Sequence, residues 1–286
     1  MKLFNGNLKY RSAVVSFFTY GMLLLVGLLM ALPMIYAIVS SFKPLDELWI
    51  FPPQFFVRNP TIENYTDLFV AMETSYVPFS RNVFNTLLIS AGGTTGAVLF
   101  SSLCAYPLAK HKFIGQKVIF KTIVRSLMFN GVATGIAHYI LISKMGFMDT
   151  YFAVIIPSFG GSLGLYLMKQ FMESNVPDAI LDAARIDGAK ESTLFWRIVM
   201  PMVKPGWLTL IIFSFQGLWG MGGSGYIYNE NLKTLNYAIS QIVSAGLTRA
   251  GAGAAASVLM MLPPILVFVI TQSNIVETMA SSGMKE

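Results

Sequence analysis

Cysteine is almost absent: Cys104 is the single one in 286 residues, which excludes an intrachain disulfide and a cysteine-based metal centre. Histidine is confined to His111 and His138, and neither a His-Glu-x-x-His pair nor a Gly-x-x-x-x-Gly-Lys-Ser/Thr phosphate loop occurs. Few carboxylates fall within the long apolar runs, so hydrolytic or redox chemistry has little to work with. The chain is expected not to be an enzyme and to hold no metal or cofactor. Charge is scarce too, with 12% Asp, Glu, Lys and Arg against about 25% in an average soluble domain. A water-soluble fold of this composition would struggle to cover its surface.

What the chain has is apolar length. It is 55% hydrophobic with mean hydropathy +0.61, and several runs can cross a hydrocarbon core of roughly 30 Å, which takes about 20 helical residues. Stretches such as Tyr20-Gly21-Met22-Leu23-Leu24-Leu25-Val26 lack the alternating polarity of a membrane barrel strand. Helices, which keep backbone hydrogen bonds internal, are predicted instead. The expected fold is all-α and polytopic, one domain over 1–286, with spans at about 14–41, 83–108, 119–143, 150–172, 205–228 and 254–275 and a loop at 173–204. Cys104, inside the second span, reads as a small packing residue.

The formal charge of +6 does not indicate nucleic acid, because the basic residues are dispersed between apolar runs. They read as a topology signal. An inside amino terminus puts fourteen of the 20 in the cytoplasm: Lys2, Lys9, Arg11, Lys110, Lys112, Lys117, Lys121, Arg125, Lys169, Arg185, Lys190, Arg197, Lys204 and Lys285. Lys43, Arg58, Arg81, Lys144, Lys233 and Arg249 remain outside. With six spans both termini are then cytoplasmic. The first span is too long for a signal peptide and lacks a convincing cleavage site, so it is expected to stay in the mature protein. Between Lys43 and Arg81, five prolines with Trp49, Phe51, Phe55 and Phe56 predict an ordered external cap.

The most informative segment is the loop after the fourth span, from Pro177 to Pro201. Pro177 and Asp178 favour a helix start. Gly188 can take positive φ, and Pro201 is expected to stop a second helical piece. Small Ala183 and Ala184, flanked by Asp182, Arg185 and Asp187, suit docking against a partner groove, since charges fix register. The plainer reading, an Asp182–Arg185 pair on a solvated helix, stands beside it.

This stretch resembles a known family. Asp182-Ala183-Ala184, then Gly188, Ile198 and Pro201, is similar to the Glu-Ala-Ala loop of binding-protein-dependent ABC importer permeases, with Asp for the usual Glu and Met200 for the usual Leu. Ser41-Phe42-Lys43-Pro44, Asn85-Thr86-Leu87 and Ala105-Tyr106-Pro107-Leu108-Ala109 are similar to carbohydrate-uptake permeases, in particular the six-span second subunit of maltose-type systems.

The resemblance implies a permease in a bacterial plasma membrane, working by alternating access. Its partners would be a second permease in a mixed pair, two copies of a cytoplasmic ATPase, and an external solute-binding protein. It assigns ATPase coupling to Asp182, Ala183, Ala184, Arg185, Asp187, Gly188, Ile198 and Pro201. Two departures concern the substrate: Trp219 is followed by Gly220-Met221-Gly222-Gly223 where the family often has Asn and an acid, and Gly131-Val132-Ala133-Thr134-Gly135 stands where a proline is common.

Gln216, Trp219, Tyr226 and Tyr228, beside a glycine-rich stretch, offer the aromatic faces and amide that a carbohydrate path needs, and the aromatics read equally as interfacial anchors. His138, deep in the third span, is either a path residue or a packed neutral imidazole. Lys121 and Arg125 read as anchors snorkelling to headgroups. A transporter or channel working alone, a permease for another solute, and a membrane scaffold remain open alternatives.

Overall fold

The structure, a computed structural model, describes residues 13–73, 76–129, 131–222, 225–244, 246 and 249–283. Lys2, Lys9, Arg11, Lys285 and Gly223, used in the sequence reading, lie outside them. The described residues are helical with connecting turns and contain no strand. The helices are α1 (Ala13–Ser41), α2 (Glu63–Glu73), α3 (Phe79–Lys110), α4 (Gln116–Ser126), α5 (Gly131–Lys144), α6 (Phe152–Ser158), α7 (Ser162–Asn175) and α8 (Asp178–Ile186). There follow α9 (Glu191–Met202), α10 (Lys204–Trp219), α11 (Leu235–Ser244) and α12 (Ala250–Gly283).

Four stretches are long and apolar enough to cross a membrane: Val15–Ser41, Phe79–Lys110, Phe152–Asn175 and Ala250–Gln272. Helices α9 and α10 meet that test only as a pair, bent by 78°. The expected third span is divided between α4 and α5. The expected fifth span is shorter than the sequence suggested. Helix α10 ends at Trp219, where Gly220 N–H closes the last turn on Gln216 O at 3.1 Å. Glycines 220, 222 and 225 then favour loop over helix at about 1 kcal/mol each relative to alanine.

The chain divides into two compact units. The first comprises the described residues of 1–69 and 245–258. Its segment after α1 is ordered by buried polar groups. Asn64 Nδ2 donates to Ser41 O (2.8 Å) and Lys43 O (2.7 Å). The buried Glu47 carboxylate accepts from the backbones of Arg58 (3.0 Å) and Asn59 (2.8 Å), and Lys43 Nζ donates to Gln54 O.

The second unit comprises the described residues of 70–244 and 259–286. Its centre is α3, packed on α6, α7 and α10. The core at one end of α3 gathers Ala105 and Tyr106 with Met168, Met172, Leu181 and Phe195. Towards the other end Ile89 packs with Val154, Leu218 and Ile227. Glycines allow the close approach. Cys104 is exposed on α3 beside the exposed Leu103, which corrects its reading as a packing residue: it lies outside the core that holds Ala105 and Tyr106.

Candidate functional site

Helix α8 is built as its sequence requires. Pro177 holds the cap position with φ −65° and Asp178 stands in the first turn. At the other end Gly188 has φ +80°. Its N–H donates to Arg185 O (3.0 Å), and Ala189 N–H reaches back to Ala184 O (3.0 Å). This pair of bonds is a Schellman closure, which glycine allows without a Cβ penalty. Ion pairing joins Arg185 Nη1 to Asp182 Oδ1 at 3.1 Å, so the plain i, i+3 reading holds geometrically.

Pro201 does not stop the following helix. The segment Leu194–Val199 widens into a π turn, and Pro201 is accommodated in the turn Met200–Met202 that follows. The break comes at Val203, with φ −99° and ψ 23°, where the chain turns into α10.

One face of α8 is buried and the other open. Leu181 is 1% exposed, and Ala184 packs on the same core, as does Ile198 of α9. Ala179, Asp182, Ala183 and Ile186 are exposed at i, i+3, i+4 and i+7, which places them on one face. Ile186 is 87% exposed. The result is an apolar strip with one carboxylate, fit to seat in a partner groove. Asp187 is exposed beside it.

Polar contacts tie this loop to the end of α3. Tyr106 Oη donates to Glu191 Oε2 at 2.7 Å, and Arg185 Nε donates to Glu191 Oε1 at 3.1 Å. His111 Nε2 lies 3.4 Å from Glu191 Oε2. Lys110 Nζ donates to Val176 O (2.6 Å) and Asp178 Oδ1 (2.8 Å). The Lys110 hydrogen bond holds the Asp178 carboxyl below its ordinary range, and the Glu191 hydrogen bond raises the Arg185 guanidinium further. Lys110, His111, Asp178, Asp182, Arg185 and Glu191 line a polar cleft of about 390 Å³.

A second cluster is aromatic. The His138 and Tyr226 rings lie 5.6 Å apart at 52°, and Tyr139 stacks on Tyr226 at 6.2 Å and 27°. The Tyr139 and Tyr228 hydroxyls are 2.8 Å apart. Asp149, with φ +58°, fixes the loop: its Oδ1 accepts from Tyr228 N (2.9 Å) and Asn229 N (2.7 Å), and its own N–H donates to Tyr226 O (2.9 Å). Tyr139 and Tyr228 remain 42% and 56% exposed. Gln216 is exposed on α10. Trp219 is 4% exposed, stacks on Phe215 at 5.6 Å, and donates its indole N–H to Met260 O at 2.9 Å. Its ring and donor are therefore occupied within the chain.

The sequence reading reached Asp182 to Gly188 through a motif, and His138 and Tyr226 by residue type. It missed Ile186, which the 3.6-residue period of α8 exposes. It also missed Tyr139, Asp149 and Glu191, each of which has a partner far away in sequence.

The family model described as binding-protein-dependent transport system inner membrane component matches residues 97–280. Protein LplC of Bacillus subtilis (strain 168) is 32% identical over 199 residues, 68% of this chain and 63% of that protein, so the match spans less than two thirds of it. The galactooligosaccharides transport system permease protein GanQ of the same organism is 25% identical over 98% of this chain and 99% of its own length. Among solved structures, that of a bacterial ABC transporter involved in the import of the acidic polysaccharide alginate superposes with TM-score 0.75. It is 21% identical and covers 92% of this chain and 98% of that one. At that identity the likeness concerns the fold.

Proposed function

The chain belongs to the family of binding-protein-dependent transport system inner membrane components, and from that membership we propose that it is a membrane permease importing an oligosaccharide by alternating access. The observation that carries the mechanism is the open face of α8, seated on the core by Leu181 and closed at Gly188. Moving a two-state equilibrium from 1:99 to 99:1 takes about 5.5 kcal/mol. The sequence has no nucleotide-binding loop to supply it, so a separate ATPase docks on Ala179, Asp182, Ala183 and Ile186 and drives the bundle. A second permease completes the pore, and an external binding protein delivers the sugar.

The sugar path runs past His138, Tyr139, Tyr226 and Tyr228, with Gln216 as a further amide contact. Aromatic faces stack on sugar rings and the paired hydroxyls hydrogen-bond to them. Trp219 supports α10 from behind. Six spans with both termini inside follow if α4 and α5 form one broken span.

Two measurements test this reading. Affinity purification of the chain from its native membrane should recover an ATPase and a second permease stoichiometrically; recovery of the chain alone sinks the proposal. In a Cys104-free background, single cysteines at Gln54, Gln116 and Ser192 should react with an impermeant thiol reagent only at Gln54. Labelling of Gln116 or Ser192 in intact cells reverses the orientation.

A second reading, an acidic oligosaccharide, is favoured by Lys117, Lys121 and Arg125. They recur every fourth residue on α4, are exposed, and make no ion pair among the described residues.

A further inference from the structure

Helix α3 is gripped at both ends by polar contacts to distant segments. At one end the Tyr106 ring is 7% exposed within the core, and only its hydroxyl reaches Glu191. Glu191 also holds Arg185, so one carboxylate links the end of α8, the start of α9 and α3. At the other end Asn85 is fully buried. Its Nδ2 donates to Asn231 O and Lys233 O, both at 2.9 Å, and its Oδ1 accepts from the Tyr151 hydroxyl at 2.6 Å. Next to it Thr86 Oγ1 accepts from Leu235 N at 2.8 Å.

The Asn85 amide thus uses both hydrogens and its oxygen, and it has no free rotamer to yield. A helix rises about 1.5 Å per residue, so Asn85 and Tyr106 stand about 32 Å apart, close to the thickness of a bilayer core. Between them α3 has no proline, and its glycines press against neighbouring side chains of α6 and α10. A rod of this length, clamped at each end, transmits displacement with little loss because packed interiors compress poorly.

We propose that α3 is the rigid link between the coupling loop and the loop Asn229–Leu235, with Tyr106 and Glu191 the positioning residues at one end and Asn85 at the other. The proposal rests on the reading of α8 as the ATPase contact. When a docked ATPase tilts α8, Arg185 draws Glu191, Glu191 draws Tyr106, and the far end of α3 carries Asn231 and Lys233 with it. Tyr228 directly precedes this loop, so the sugar path changes shape as the ATPase closes.

The test uses the whole complex reconstituted in nanodiscs with its binding protein. An environment-sensitive fluorophore on a cysteine placed at Glu230, in a Cys104-free chain, reports the outer loop. ATP should change its emission in the wild type. Tyr106→Phe, Glu191→Gln and Asn85→Ala should each retain the ATPase yet reduce both the emission change and binding-protein-stimulated hydrolysis by roughly fivefold or more. Glu191→Asp should restore part of the response. The double variant Tyr106→Phe with Asn85→Ala should be no worse than the poorer single one, because both break one link. A purely structural staple would lower thermal stability and leave the ATP response intact, which overturns the proposal, as do independent, multiplying effects of the two ends. A wild-type chain that binds no ATPase sinks the functional reading and this link with it. A complex that forms and responds normally in all three variants removes the link alone.

Discussion

A Cβ placed on Gly96 would stand 1.9 Å from Cε1 of Phe159, a separation no side chain tolerates. The Phe159 ring cannot simply swing away, because it stacks on Phe100 at 5.0 Å and 10°. The contact sets how closely α3 approaches the chain segment after α6. Gly96→Ala is expected to destabilise the protein by about 1–3 kcal/mol, the usual cost of overpacking. Gly92→Ala, whose nearest neighbour would be Ile155 at 3.5 Å, should be nearly neutral. Thermal unfolding of the two purified variants separates them.

Gly188 presents the opposite case. Nothing lies within 4 Å of a Cβ added there, so any cost comes from its φ of +80°. Gly188→Ala should cost about 1–2 kcal/mol, Gly188→Asn less, and Gly188→Val more, because a β-branched residue rarely takes that conformation. The expected readout is graded loss of ATPase recovery with the purified permease in the order Asn, Ala, Val. Equal recovery in all three would mean that the turn does not aim the docking face.

Ile186 is exposed on the isolated chain, and so replacing it should leave folding within about 0.5 kcal/mol of wild type. Burial in a partner groove would make it an anchor whose loss costs about 2 kcal/mol, or nearly 30-fold in affinity. Ile186→Asp should insert and unfold like wild type while the ATPase dissociates during purification. Asp182→Lys should weaken the same contact by placing the wrong sign at its edge. Unchanged recovery in Ile186→Asp would place the docking surface elsewhere.

These residues also show how far the sequence could be read. Helix α8 was legible because its signals are local: a proline and an acid at its start, and a glycine that can turn left-handed. The end of α10 was not, since hydropathy continues through Met221 while the glycines around it favour a loop. Glu191 and Asn85 carried no visible role, because their contacts are made 85 and 148 positions away. Trp219 was legible as an aromatic near a glycine run, but only the fold shows that its indole is committed to Met260.

The aromatic cluster gives a prediction on uptake. If sugar rings stack on Tyr226 and bond to the Tyr139–Tyr228 hydroxyl pair, Tyr226→Ala should weaken transition through the pore by about 0.5–1.5 kcal/mol. Tyr228→Phe should have a smaller effect confined to the apparent KM. Asp149→Ala removes the acceptor for two backbone N–H groups and should resemble Tyr226→Ala. Uptake of a radiolabelled oligosaccharide into cells with matched membrane levels makes the comparison. Wild-type uptake in all three would move the path away from this cluster.

The cations of α4 decide between a neutral and an acidic substrate. An unpaired Lys or Arg at the middle of a membrane helix costs about 2.5–3.5 kcal/mol on insertion scales, and Arg125 lies eight residues further along α4 than Lys117. Such a row is tolerable if the side chains snorkel to headgroups, or if they line a wet path for an anion. The second case predicts that Lys121→Gln with Arg125→Gln cuts uptake of a uronate oligosaccharide by about tenfold, equivalent to 1.4 kcal/mol, and leaves a neutral oligosaccharide unaffected. Wild-type uptake of the uronate should also fall more steeply with salt than uptake of the neutral sugar, because exposed charges are screened within about 10 Å at 0.1 M. Equal uptake of both sugars before and after substitution, with lower membrane insertion of the double variant, would identify Lys121 and Arg125 as headgroup anchors and return the substrate to the neutral class.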